Sequence, residues 1–246
     1  ARSDIEEAVI PPQVTRIKTW SFCNHRRLKT VRFSTNSELK CIENFAFCRS
    51  SIESLSLPAS VEQIGDCCFS NTRNLRKVEI SPENKFFKLF EGSFVVKESR
   101  RGSGAFDAII FASRDVESTS IPPHIKVIND YAFQYCKRLK TVTFESNSSL
   151  ESIKTFAFSY IPGPERLVLP PSLKVADSNS FSSITNTKSI EFLGKSVTIG
   201  GCCFSWCSEL STVTFPNADE ITFKNCAMSF APADLKIHVR RTAKLS

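Results

Sequence analysis

The 246-residue chain is poor in several residue types: eight Gly, three His, three Tyr, two Trp and one Met. So few glycines exclude a collagen-like chain, and a hydrophobic content of 41% excludes a disordered one. No apolar run approaches the roughly 20 residues of a membrane helix, and the opening Ala1-Arg2-Ser3-Asp4 has no signal-peptide core. A soluble chain without direct membrane insertion is expected. No Cys-x-x-Cys occurs, and no Cys pair lies near a His pair at zinc-ligand spacing, which argues against a structural metal. The histidines stand apart: His25 in a turn, His124 after a proline pair, His238 in the last strand. No Ser-His-Asp or Cys-His arrangement assembles, so no catalytic residue and no cofactor is assigned and a non-enzyme is expected. Gly102-Ser103-Gly104 lacks the strand-to-helix context of a phosphate loop and reads as a hairpin tip.

What the chain does have is 21 Phe and ten Cys. The Phe surplus is periodic. L-x-x-V-x-F runs begin at Leu28, Leu75, Leu139 and Leu210, and looser copies begin at Ile5, Ile52, Val116, Pro164, Thr187 and Asp234. The ten repeats start 23, 24, 23, 41, 23, 25, 23, 23 and 24 residues apart. Between them an aliphatic residue is followed five positions later by an anchor, usually Phe, with Ala, Cys or Ser just before it. The nine pairs are Ile17/Phe22, Ile42/Phe47, Ile64/Phe69, Leu89/Phe94, Ile128/Phe133, Ile153/Phe158, Ala176/Phe181, Ile199/Phe204 and Phe223/Met228.

A repeat this short cannot bury its own apolar face, so the repeats must stack into a solenoid with one running core. Each fully buried Phe contributes about 1.5–3 kcal/mol. The Val/Ile/Phe-rich segments read as strands paired in parallel with the next repeat, about 4.8 Å away. Pro11, Pro12, Pro58, Pro122, Pro123, Pro170 and Pro171 close several runs, so little helix is expected. The spacing of 41 marks an insertion at about 95–110, read as a β-hairpin of Phe94–Lys97 against Ala108–Phe111. Charge supports the register: the second position of each repeat reads Glu6, Lys29, Glu53, Arg76, Glu117, Lys140, Glu165, Lys188, alternating in sign for eight repeats.

The L-x-x-V-x-F segments, the Ile-Pro-Pro or Leu-Pro corners and V-x-x-I-x-x-x-x-F with Ala or Cys before the Phe resemble the BspA-type (Treponema pallidum-type) leucine-rich repeat. The stretch from Ser81-Pro82-Glu83-Asn84 through Phe94-Val95-Val96, with Ser120-Ile121-Pro122-Pro123 after it, is similar to that family's hairpin-bearing repeat. The resemblance runs from Ile5 to Val239. It implies a curved leucine-rich repeat solenoid of about ten 23–25-residue repeats, with the parallel sheet on the concave side and residues 1–246 as a single domain. It also implies surface-associated roles in bacteria and parasitic protists, as adhesins or host-interaction molecules. The chain departs from the pattern in its many Cys, its little Gly, and the degenerate repeats at Pro164, Thr187 and Asp234.

Two columns of strand residues remain exposed on that face. The nearer reads Glu7, Thr30, Ser54, Lys77, Ser118, Thr141, Arg166, Ser189, Thr212, Lys236; the farther reads Val9, Arg32, Ser56, Glu79, Ser120, Thr143, Val168, Glu191, Thr214, His238. Arg32, Lys77, Glu79, Thr141, Thr143, Arg166 and Glu191 are the candidate contacts for a protein or glycan partner, with the hairpin tip as an alternative site. A net charge of +7 invites a nucleic-acid reading, but the basic clusters Arg26-Arg27-Lys29-Arg32, Lys97/Arg100/Arg101 and Arg240-Arg241-Lys244 lie in different repeats. No nucleic-acid partner is expected. Cys68, Cys203, Cys136 and Cys207 fall in core positions, whereas Cys23/Cys48 and Cys202/Cys226 fall in stacked columns that could close as disulfides, although neighbouring parallel positions do not guarantee the torsion a disulfide requires. Asn147-Ser148-Ser149 is the one glycosylation sequon. The leading expectation is an adhesion module of the cell surface, part of a longer protein. The alternative is a cytoplasmic scaffold with reduced thiols.

Overall fold

The structure, a computed structural model, describes residues 5–245. It divides into two compact units, Ala1–Phe106 with Ile110–Arg114, and Asp107–Ile109 with Asp115–Ser246. The described residues contain strands and turns and no α-helix.

In the N-terminal unit the first three repeats each supply one four-residue strand and one two-residue strand, and the fourth opens with a four-residue strand. In chain order these are β1 (Glu7–Ile10), β2 (Arg16–Ile17), β3 (Thr30–Phe33), β4 (Cys41–Ile42), β5 (Ser54–Leu57), β6 (Gln63–Ile64) and β7 (Lys77–Ile80). The long strands form a parallel sheet in the order β1-β3-β5-β7, and the short ones form β2-β4-β6. The register joins Glu7 to Thr30, Thr30 to Ser54 and Ser54 to Lys77, the column read from the sequence. Alternation decides the rest: Val31, Leu55 and Val78 are buried while Arg32, Ser56 and Glu79 are exposed.

The insertion differs from expectation at Leu89. The segment is not another aliphatic-to-Phe corner but an antiparallel hairpin of β8 (Phe87–Phe90) and β9 (Phe94–Lys97), with β9 flanked on its other side by β10 (Ala108–Ala112). Leu89 is exposed, and Phe94 stacks on Phe90 at 5.2 Å. The spine of anchors runs Phe22–Phe47–Phe69 at 5.3 and 6.1 Å, and Phe111 of the returning strand then meets Phe69 at 5.3 Å. Arg114 holds that return in place. Buried, with its guanidinium 4.5 Å from the Phe111 ring, it donates to the carbonyls of Thr72, Ala112 and Phe69.

The C-terminal unit continues with β11 (Ser118–Ile121), β12 (Val127–Ile128), β13 (Thr141–Phe144), β14 (Ser152–Ile153), β15 (Arg166–Leu169), β16 (Val175–Ala176), β17 (Ser189–Phe192), β18 (Ser196–Ile199), β19 (Thr212–Phe215), β20 (Glu220–Phe223), β21 (Lys236–Val239) and β22 (Lys244–Leu245). Its anchors Phe133, Phe158, Phe181 and Phe204 are all buried and stack at 4.9, 6.0 and 6.3 Å.

Each anchor except Phe94 of the hairpin is flanked by two residues of left-handed backbone, two positions before and two after. Trp20 and Asn24 flank Phe22, Phe45 and Arg49 flank Phe47, and Tyr131 and Tyr135 flank Phe133, with φ of 55–64°. None of these residues is Gly, so each bears a penalty of roughly 1–2 kcal/mol. Amides donated to the next turn offset it: Phe45, Phe47 and Arg49 donate to the carbonyls of Asp66, Cys68 and Ser70 at 3.2, 3.1 and 2.9 Å.

Candidate interaction face

The long strands of the C-terminal unit form two sheets, β11-β13 and β15-β17-β19-β21. Within each sheet of long strands a backbone bond closes the steps of the charged column: Lys29 N–H donates to Glu6 O at 2.8 Å, Lys140 N–H to Glu117 O at 2.8 Å and Lys188 N–H to Glu165 O at 2.8 Å. Between Lys140 and Glu165 the described residues show no such bond, and Gly163 N–H donates to Leu139 O at 3.0 Å instead. The cause is the Pro162-Gly163-Pro164 connection, which makes this step 25 residues long. Gly163 has φ +73°, and a Cβ there would lie 2.6 Å from Thr187 Oγ1 and 2.8 Å from Ile184 Cγ2, so only glycine fits.

A cavity of about 710 Å³ occupies this opening. Val142, Phe144, Val168 and Leu193 give it apolar walls, and Thr143, Asn147, Ser148 and Arg166 supply polar groups. Arg166 also lines a second cavity of about 470 Å³, with Glu191, Thr214, His238 and Arg240. Arg166 on β15 and Glu191 on β17, diagonal to each other in the register, form an ion pair.

Of the seven candidate contacts, Thr143, Arg166 and Glu191 come together at these cavities; Thr141 is exposed on β13 beside Ser118 of β11. Arg32, Lys77 and Glu79 lie on the exposed strand face of the N-terminal unit, where they are already engaged. Arg32 pairs with Glu7 at 2.6 Å, Lys77 with Glu79 at 2.6 Å, and Glu79 accepts from Ser56 Oγ at 2.8 Å. Basic residues are matched by acids elsewhere too: Glu6 receives both Arg27 and Lys29, and Lys29 together with Arg27 lowers its carboxyl below the usual range. Glu43 is held further down, at about 2, by a hydrogen bond from Arg16 and by the amide and hydroxyl of Thr19. At the hairpin tip Glu98 accepts the Gly102 and Gly104 amides, which fixes the tip internally.

All ten cysteines are free. Cys68, Cys136, Cys203 and Cys207 are buried as expected of core positions, and burial drives the Cys203 thiol up to about 12 and Cys207 to about 11. Cys203 Sγ lies 3.2 Å from Ser180 Oγ, the same small slot of the preceding repeat. Cys23 and Cys48 are neighbouring free thiols, as the columns allowed, and burial followed by the nearby Cys48 raises Cys23 to about 11. The described residues contain no group of three or more His, Cys, Asp or Glu placed to hold a metal ion, and no helix long and apolar enough to cross a membrane.

Sequence reasoning missed the exposed aromatic pair Trp206 and Phe230, stacked at 5.2 Å in the left-handed column after the anchors. The signal was available: both sit two positions after an anchor, as Tyr135 and Tyr160 do, which stack at 4.7 Å.

Residues 1–95 and 105–229 match a family model described as BspA type leucine rich repeat region, in six copies. No curated protein matches the chain. Among solved structures, the pneumococcal vaccine antigen PcpA is similar at 22% identity with a TM-score of 0.78, over 98% of this chain and 67% of that one. A leucine-rich repeat protein from Eubacterium ventriosum is similar at 19% identity and a TM-score of 0.77, over 96% of this chain and 66% of that one. A leucine rich cell surface protein from Faecalibacterium prausnitzii is similar at 20% identity and a TM-score of 0.63, over 98% of this chain and 60% of that one. The chain thus spans roughly two thirds of the length of these structures, and the likeness is one of fold.

Proposed function

Because this chain belongs to the BspA-type leucine-rich repeat family, we propose that it is a non-enzymatic interaction module of the cell surface that binds a protein partner on its strand face. The observation that carries the reading is the opening beside β15, where Thr143, Arg166 and Glu191 border cavities with both apolar walls and polar groups. Flat polar strands offer a partner little to desolvate, whereas a cavity of this kind can seat an apolar anchor beside a charged pair. The surface assignment is supported by the descriptions of similar structures as a vaccine antigen and a cell surface protein.

The test is a binding screen against host proteins, with glycans as the other ligand class, run on two variants. Thr143→Ala/Arg166→Ala/Glu191→Ala is expected to lose the partner. Arg32→Ala/Lys77→Ala/Glu79→Ala is expected to keep it, because those groups line neither cavity. The reverse outcome moves the face to the N-terminal unit, and loss in neither variant removes the strand-face proposal.

The ten free cysteines favour a second reading, an intracellular scaffold with reduced thiols. Counting free thiols in protein from its own cells separates the two. Ten favours the scaffold, and two or more disulfides favour the surface.

A further inference from the structure

The asparagines in the corners that follow the strands have two different fates. Asn84, in the corner after β7, is buried, and its carboxamide is fully employed. Its Nδ2 donates to the carbonyls of Pro58 and Val61, both at 3.0 Å, and its Oδ1 accepts the amides of Phe86 and Phe87, both at 2.9 Å. Such an Asn is a structural clasp. Asn147, in the corner after β13, is exposed, and its side chain has no hydrogen-bond partner among the described residues. Its φ of 60° is the left-handed conformation that Asn tolerates better than most residues.

The turn around it is fixed by other groups. Ser149 N–H donates to Pro123 O at 2.8 Å and Leu150 N–H donates to Ser148 Oγ at 3.3 Å. The corner therefore does not need the Asn147 carboxamide. Asn147-Ser148-Ser149 places a hydroxyl two residues after an exposed, unengaged carboxamide, the pattern an N-glycosylation acceptor requires.

We propose that Asn147 is an N-glycan acceptor, resting on the surface reading for the compartment in which the modification occurs. The donor is an oligosaccharide carried on a polyprenyl pyrophosphate. Asn147 Nδ2 bonds to the anomeric carbon, the bond from that carbon to the pyrophosphate oxygen breaks, the lipid pyrophosphate leaves, and one amide proton passes to the transferase. No electron is gained or lost. Asn147 and Arg166 line the same cavity, so the glycan stands beside the proposed interaction face.

The test is expression of the full chain behind a cleavable secretory leader in eukaryotic cells, followed by peptide N-glycosidase treatment and intact-mass measurement. A single glycan, removed by the glycosidase and absent from both Asn147→Gln and Ser149→Ala, is the expected result. Both variants alter only a surface turn, with Asn147 exposed and Ser149 half-buried, and their secretion serves as the folding control. A secreted wild-type chain without glycan overturns the proposal, as does a glycan that survives Asn147→Gln. Surface labelling of the cells that make the protein tests the compartment separately. A chain found only inside those cells defeats the surface reading, while the acceptor assignment stands or falls on the leader-fused chain alone.

Discussion

The two units carry irregularities of very different size, yet each falls where a sheet of long strands ends. In the N-terminal unit some sixteen extra residues (the 41-residue spacing against the usual 23–25) follow β7, the last strand of the ladder β1-β3-β5-β7. In the C-terminal unit a step of 25 residues, with Gly163 between two prolines, leaves β13 and β15 in separate sheets. The difference lies in what the surplus does. Residues added after a strand can form a hairpin of their own, whereas residues added just before a strand displace the backbone groups that must meet the previous rung.

The most drastic way to break the comparison is to remove an anchor from each unit in turn. Phe47→Ala and Phe158→Ala each empty a fully buried ring position in a stacked spine. Each is expected to cost about 3–5 kcal/mol, measured by denaturant unfolding, with lost amide protection centred on the unit that carries the change. Next comes the glycine that causes the opening. Gly163→Ala meets both a positive φ and side-chain atoms under 3 Å away, and about 2–4 kcal/mol is expected. The matched change at the hairpin tip, Gly102→Ala, has an equally positive φ but open space around it, and about 1 kcal/mol is expected. Equal costs at the two sites would show that the Pro-Gly-Pro connection is not tightly packed.

A smaller effect concerns the C-terminal core at alkaline pH. Cys203 ionises at about 12 in the native chain against an ordinary 9.0. Between those values the unfolded chain has lost the proton that the folded chain keeps, so stability falls as pH rises through that window, by at most about 1.4 kcal/mol per pH unit. Cys203→Ala is expected to flatten that slope in thermal unfolding scans, and an unchanged slope would show that the thiol is not desolvated. Smallest is a gain: Arg49→Gly, at an exposed left-handed position, is expected to stabilise the N-terminal unit by about 0.5–1 kcal/mol.

The register, the anchors and the small slot before each anchor were legible in the sequence because each repeats with the side-chain identity that burial demands. Val31, Ala46 and Phe47 are examples, and each recurs in kind one repeat later. Other features had no such mark. Left-handed backbone is usually signalled by glycine, yet here Trp20, Phe45, Tyr131 and Arg49 adopt it under the pull of inter-rung hydrogen bonds, so the aromatic stacks outside the core went unseen. Leu89 and Phe94 imitate a corner pair in spacing while forming a hairpin, because spacing carries no information on strand direction. Of the seven candidate contacts, the sequence identified the column positions. It did not reveal that Thr143, Arg166 and Glu191 border an opening, since that depends on an unmade backbone bond rather than on any side chain.

Residue-resolved hydrogen exchange tests that opening most directly. The amides of Glu165 and Arg166 are expected to exchange near the unprotected rate, while those of Lys188 and Ser189, which both donate to Glu165 O, are protected. Equal protection at the two steps would mean that β13 and β15 are joined, and that the proposed interaction face has no opening at its centre.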